Sequence, residues 1–98
     1  MEAESARQQK VGRQLQRDIA EIIREKGMSA FGGAMVSVTS VRVTPDLSVA
    51  KVHLSIFPSN KSEDVLKLVG ENQKSIRGEL GKRVSKQLRI VPELIFYL

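Results

Sequence analysis

Apolar residues change their spacing several times along this chain, and the changes dictate an order of elements. Val11, Leu15, Ile19, Ile22 and Ile23 recur at helical intervals, so one stripe of an amphipathic helix is expected over 5–26. Gly27 follows Lys26 and suits the helix end, where cations favour the negative pole of the dipole. Residues 28–33 read as a flexible connection from which Phe31 tucks into the core. The run 35–44 is rich in β-branched residues and predicts a strand. Val36 and Val38 share one parity, Val41 and Val43 the other; a bulge near Thr39-Ser40 reconciles them. Pro45 and Asp46 form a turn within 44–48, and a second strand over 49–57 puts Ala50, Val52, Leu54 and Ile56 on one face, completing a hairpin. Phe57 and Phe96 are assigned to the core.

Helical spacing returns after Pro58, with Asn60 or Ser62 as the expected cap. Val69, Ile76, Leu80, Val84 and Leu88 keep one phase, yet Gly70, Asn72, Gly78 and Gly81 are poor helix formers. Two helices joined by a kink are therefore expected, not one rod. Val91-Pro92 then opens a third strand in which Leu94, Phe96 and Leu98 alternate. The order is α-β-β-α-α-β, an α+β fold with helices on one face of a three-stranded sheet. At 98 residues the chain supports one core, so 1–98 is read as a single domain.

The inventory argues against an enzyme. There is no cysteine, hence no disulfide or thiolate metal site, which suits a reducing cytoplasm. His53 is the only histidine, expected on the solvent-facing side of its strand with no partner for a metal. No phosphate-binding Gly-x-x-x-x-Gly-Lys-Ser/Thr loop occurs, and no serine has an evident base. No cofactor and no small-molecule substrate are expected. No apolar run approaches membrane-spanning length, and Met1 to Ser5 is too acidic and polar for a signal peptide. Aromatic residues are only 4% of the chain, with Tyr97 on the face opposite Phe96 and open to solvent. Base stacking is thus not a basis for recognition, which must lean on charge and shape.

Charge is where the sequence speaks of function. The net charge is +5, and residues 74–89 hold six cations (Lys74, Arg77, Lys82, Arg83, Lys86, Arg89) against the single acid Glu79. That stretch alone carries an excess equal to that of the whole chain. Drawn as a helix, Ile76, Leu80, Val84 and Leu88 bury while Lys74, Lys82, Lys86 and Arg89 gather opposite, with Arg83 at the edge and the small Gly78 and Ser85 between them. Several cations on one surface, backed by a packed reverse side, suit a phosphate backbone. Arg77 sits near the apolar stripe, so a structural salt bridge or a snorkelling stem stands beside RNA contact as its role. A basic module gripping an acidic protein partner is the alternative reading.

The chain resembles the ribosome-binding factor A family in Leu88-Arg89-Ile90-Val91-Pro92-Glu93-Leu94 with Phe96, in Ile76-Arg77 followed by Leu80-Gly81-Lys82, and in the Val-rich strand, Asp46-Leu47 turn and Ala50-Lys51-Val52 strand. Arg7, Lys10-Val11 and Arg13 are similar but less specific, and are weaker candidates for RNA contact. The resemblance implies a type II KH-like fold in bacteria. It also implies binding of the free small (30S) subunit and its 16S rRNA, and help with late maturation and 16S rRNA processing, often important in the cold. A monomer in the cytoplasm is expected. KH domains use a Gly-x-x-Gly loop between two helices, which this family replaces by Ala-x-Gly; here Asn72-Gln73-Lys74 stands at that place. Gly78-Glu79-Leu80-Gly81 has the loop's spacing, but a loop there would leave too short a helix behind it, so these residues are expected to be helical.

Overall fold

A computed structural model describes residues 4–98; the polar start at Met1–Ala3, read above as no signal peptide, lies outside the described residues. Helix α1 spans Ala6–Lys26 and begins with a capping box: the Gln8 amide N–H donates to Ser5 Oγ at 3.1 Å, and Ser5 N–H donates to Gln8 Oε1 at 2.9 Å. It ends at Gly27, whose φ of 83° favours a residue without Cβ. The connection that follows is more ordered than expected. Met28–Phe31 forms a 3-10 turn that drives Phe31 into the core, 1% exposed.

Strands β1 (Met35–Val43) and β2 (Val49–Phe57) form the antiparallel hairpin, with the register slipping between Val38 and Ser40. Thr39 is the extra residue, so Val36, Val38, Val41 and Val43 all face inward. Strand β3 (Glu93–Tyr97) lies parallel to β2, giving the order β1-β2-β3. Parallel pairing needs a crossover, which α2 (Ser62–Glu71) and α3 (Gln73–Val84) supply. The order α-β-β-α-α-β is the expected one. A single cluster unites Leu15, Ile19 and Ile22 of α1 with Val52, Leu54, Ile76, Leu80 and Leu94. Among the described residues no helix is long and apolar enough to cross a membrane.

Four local expectations need correction. Phe57 is not in the core but 72% exposed, because its parity in β2 is opposite to that of Ala50 through Ile56. Leu98 is also exposed, since it lies past the end of β3. Neither Asn60 nor Ser62 caps α2 with its side chain. Ser62 already has helical dihedrals (φ −55°, ψ −46°), entering from a 3-10 turn at Ser59–Lys61, and its Oγ donates to the Ser59 carbonyl at 2.7 Å. Finally, α3 stops at Val84. The Gln87 and Leu88 N–H groups both turn back to the Val84 carbonyl, at 2.8 and 2.9 Å, and the chain leaves toward β3. Val91 precedes Pro92 and is therefore biased away from helix, and the backbone must extend for Glu93 to pair with Val49. Lys86 and Arg89 consequently lie beyond the helix that was expected to carry them.

Phe96 and Tyr97 fall on opposite faces as expected: Phe96 packs against the core while Tyr97 lies on the open face. His53, also on that face, is half-buried, because Tyr97 stacks on it with ring centroids 5.3 Å apart.

Candidate nucleic-acid interface

Helix α3 is organised into strips by its 3.6-residue period. The inner strip, Ile76, Leu80 and Val84, has no exposed surface at all. It anchors the helix and fixes where every other side chain points. The strip facing α1 carries Ser75 and Arg83. Lys26 Nζ donates to Ser75 Oγ at 2.6 Å, and Arg83 reaches Glu21 at 2.9 Å and Glu25 at 2.6 Å. The hydrogen bond and charge of Arg83 hold the Glu21 carboxyl below its ordinary value, and the same bond raises the already basic Arg83. Arg83, expected at the edge of the RNA-facing cations, is tied to α1 instead.

The strip facing β3 carries Arg77 and Gly81. Arg77 donates to the carbonyls of Val91 at 2.8 Å and Pro92 at 3.2 Å, so it pins the lead-in to β3. No carboxylate is involved. Gln73 does similar work on β3 itself, donating to the Leu94 carbonyl at 2.6 Å. Gln73 thereby satisfies a carbonyl that β3, as an edge strand, would otherwise leave open.

The outward strip is what remains for a ligand. Lys74, Gly78, Lys82 and Ser85 are all exposed and follow one another at intervals of three or four residues. Lys82 meets only Glu79, at 3.4 Å, with 76% of its side chain in solvent, a pairing too wet to neutralise it. Lys86 and Arg89 continue the exposed cations past the helix end, and neither has a carboxylate partner among the described residues. Gly78 and Gly81 lie within helical backbone, so their Gly-x-x-Gly spacing does not mark a loop. The break is one residue, Asn72, at φ −90°, ψ 4°, with its Nδ2 donating to the Leu68 carbonyl at 2.8 Å. Gln73 and Lys74 already belong to α3.

Two clefts flank the strip. One, of about 700 Å³, opens between α3 and the approach to β3, with Lys74, Arg77 and Gly78 on one wall and Val91 and Glu93 on the other. The second, of about 380 Å³, lies between α1 and the turn after α3, and brings Arg7 and Lys10 beside Gln87 and Leu88. The sequence alone does not reveal that these distant cations converge. Arg13 is exposed on α1 and lines neither cleft.

The model of one protein family, ribosome-binding factor A, matches residues 7–98. The chain belongs to the ribosome-binding factor A family. Among relatives, the ribosome-binding factor A of Cytophaga hutchinsonii is 45% identical over 95 residues, covering 97% of this chain and 71% of that protein. That of Christiangramia forsetii is 46% identical over 99 residues, covering 97% and 73%. The crystal structure of ribosome-binding factor A from Thermus thermophilus superposes with a TM-score of 0.79 at 26% identity, covering 92% of this chain and 93% of that one. A homology model of the Thermus thermophilus factor, fitted into a cryo-electron microscopy map of a 30S complex, superposes with a TM-score of 0.67 at 26% identity over 86% of each chain.

Proposed function

We propose that this chain binds the free small ribosomal subunit by its 16S rRNA, as a cytoplasmic monomer and without catalysis, and assists late subunit maturation and 16S rRNA processing, a step felt most in the cold. The observation that carries the reading is the open cationic strip: Lys74 and Lys82 on the outer face of α3, Gly78 between them, and Lys86 and Arg89 continuing past its end. Phosphates need cations that are exposed together and held from behind, and the unexposed Ile76, Leu80 and Val84 hold the helix that carries Lys74 and Lys82. Gly78 leaves open space where a Cβ would otherwise stand, so a sugar–phosphate backbone can approach the helix closely. The fitting of the Thermus thermophilus homologue into a map of a 30S complex supports the same partner.

Arg77 and Arg83 act in this reading as positioning residues. The first fixes the wall of the larger cleft and the second sets α3 against α1. The test is co-sedimentation with purified free small subunits across a salt series. With four phosphates held by Lys74, Lys82, Lys86 and Arg89, log K should fall with log salt at a slope of about −3. Binding that ignores salt, or that follows a ribosomal protein and survives removal of the rRNA, would instead support the acidic-partner reading.

A further inference from the structure

The smaller cleft holds more than phosphate contacts require. Its floor is Leu15 and Val84, both without exposed surface, and its partly buried walls are Val11 on α1 and Leu88 on the turn after α3. A backbone phosphate has no use for an aliphatic slot. Arg7 and Lys10 stand on the α1 lip, and neither has a carboxylate partner among the described residues. The polar groups between them differ in availability. Gln14 is engaged, its Nε2 donating to Asp18 at 3.0 Å and its Oε1 accepting from Arg17 at 3.0 Å. Gln87 is exposed, and among the described residues its amide makes no side-chain hydrogen bond, leaving both a donor and an acceptor at the mouth.

We infer that this slot takes one unstacked base of the bound RNA, between Val11 and Leu88, with Arg7 and Lys10 on its phosphate and the Gln87 amide on its edge. The inference rests on the RNA reading above and deepens it, from recognition by charge alone to recognition that includes a base. Three observations favour a nucleotide. The cavity of about 380 Å³ lies at the lower end of sites that hold small ligands. Extruded bases are held between apolar side chains and read by hydrogen bonds along their edges. Cations also adjoin the slot in the chain: the exposed Lys86 and Arg89 flank Gln87 and Leu88, two of its lining residues. Because the base must leave its stack, the RNA it comes from is a loop, bulge or unpaired end.

The experiment uses the full chain and purified free small subunits, and reads both affinity across a salt series and base reactivity. The reagents together report the pairing edges of all four bases. Val11→Phe fills the slot, and Gln87→Ala, at an exposed position, removes the edge contact without threatening the fold. The wild type should protect an unpaired base that either variant leaves reactive. Val11→Phe should bind roughly tenfold more weakly at every salt concentration, with the salt slope unchanged. Arg7→Ala with Lys10→Ala should instead flatten the slope. If both slot variants keep wild-type affinity and footprint, the slot is empty in the complex and the inference falls, while the salt slope still upholds the RNA reading. A slope lost with Gln87→Ala would make the slot part of the phosphate surface and also overturn it. Salt-independent binding by the wild type would bring down the RNA reading itself.

Discussion

Two glycines in helices, Gly12 and Gly78, illustrate how one residue type answers to different causes. Gly12 is buried where α1 crosses β1, and a Cβ built there would come within 2.6 Å of the Val41 carbonyl oxygen. A backbone carbonyl in a paired strand cannot retreat cheaply. Alanine would gain about 1 kcal/mol of helix propensity. The overlap should outweigh it, so Gly12→Ala is expected to destabilise the fold by roughly 1–3 kcal/mol in denaturant unfolding. Gly78 is the opposite case, with nothing within 4 Å of its notional Cβ. Gly78→Ala should therefore stabilise the isolated protein by about 0.5–1 kcal/mol. If RNA passes over the outer face of α3, the same change weakens subunit binding, and a variant that melts higher yet binds less tightly would show that the glycine is kept for the ligand. Leu47 adds a different constraint: it sits at φ 61° in the hairpin turn and packs on the core. There the packing of a leucine offsets a left-handed conformation that side chains disfavour.

Elements were legible in the sequence wherever apolar periodicity decided them. The α1 stripe, the bulge at Thr39 and the inward set Ala50 to Ile56 follow from spacing, because burial of one face leaves little choice of register, whereas the break at Asn72 interrupts a stripe that keeps its phase and was legible only from the poor helix formers around it. Contacts set by polar side chains across the fold were not legible. On α1, Gln8 donates to the Val43 carbonyl at 3.0 Å and Gln16 to the Thr39 carbonyl at 3.1 Å, with Gly12 between them on the same face. That Gln-Gly-Gln spacing, one turn apart, seats the helix on the edge of β1, yet reads as ordinary surface until the strand is in place. The pairing of Arg83 with Glu21 and Glu25, some sixty positions away, escaped for the same reason. It carries a testable pH dependence. The Glu21 pKa is lowered in the folded chain, so its contribution is present above the pKa of an unfolded glutamate and is lost as pH falls through the folded value. Glu21→Gln should flatten the acid limb of the stability curve in that window, and an unaltered limb in urea midpoints measured from neutral to acid pH would show that the pair holds nothing.

At the scale of the whole molecule the two sides of the sheet differ. The helical side carries the cationic strip and both flanking clefts. The open side carries Phe57, Met35, Ile95 and the Tyr97–His53 stack, with its own cations Arg42 and Lys51. A net charge of +5 would draw any polyanion, so binding by itself does not show that α3 is the surface used. Two single reversals separate the cases, since each changes net charge by the same amount. Lys82→Glu places the change on the outer face of α3. Lys51→Glu places it on the open sheet face, where the register sets Lys51 opposite Arg42. Arg42 also pairs with Glu4 at 3.7 Å and is largely exposed, so the reversal alters charge beside a solvated ion pair and should change stability by under about 1 kcal/mol. If α3 meets the phosphates, Lys82→Glu should lower the salt slope for small-subunit binding by about 1, while Lys51→Glu leaves slope and affinity near wild type. Equal losses from both would mean that the subunit responds to overall charge, and the cationic strip would then have no claim to be the interface.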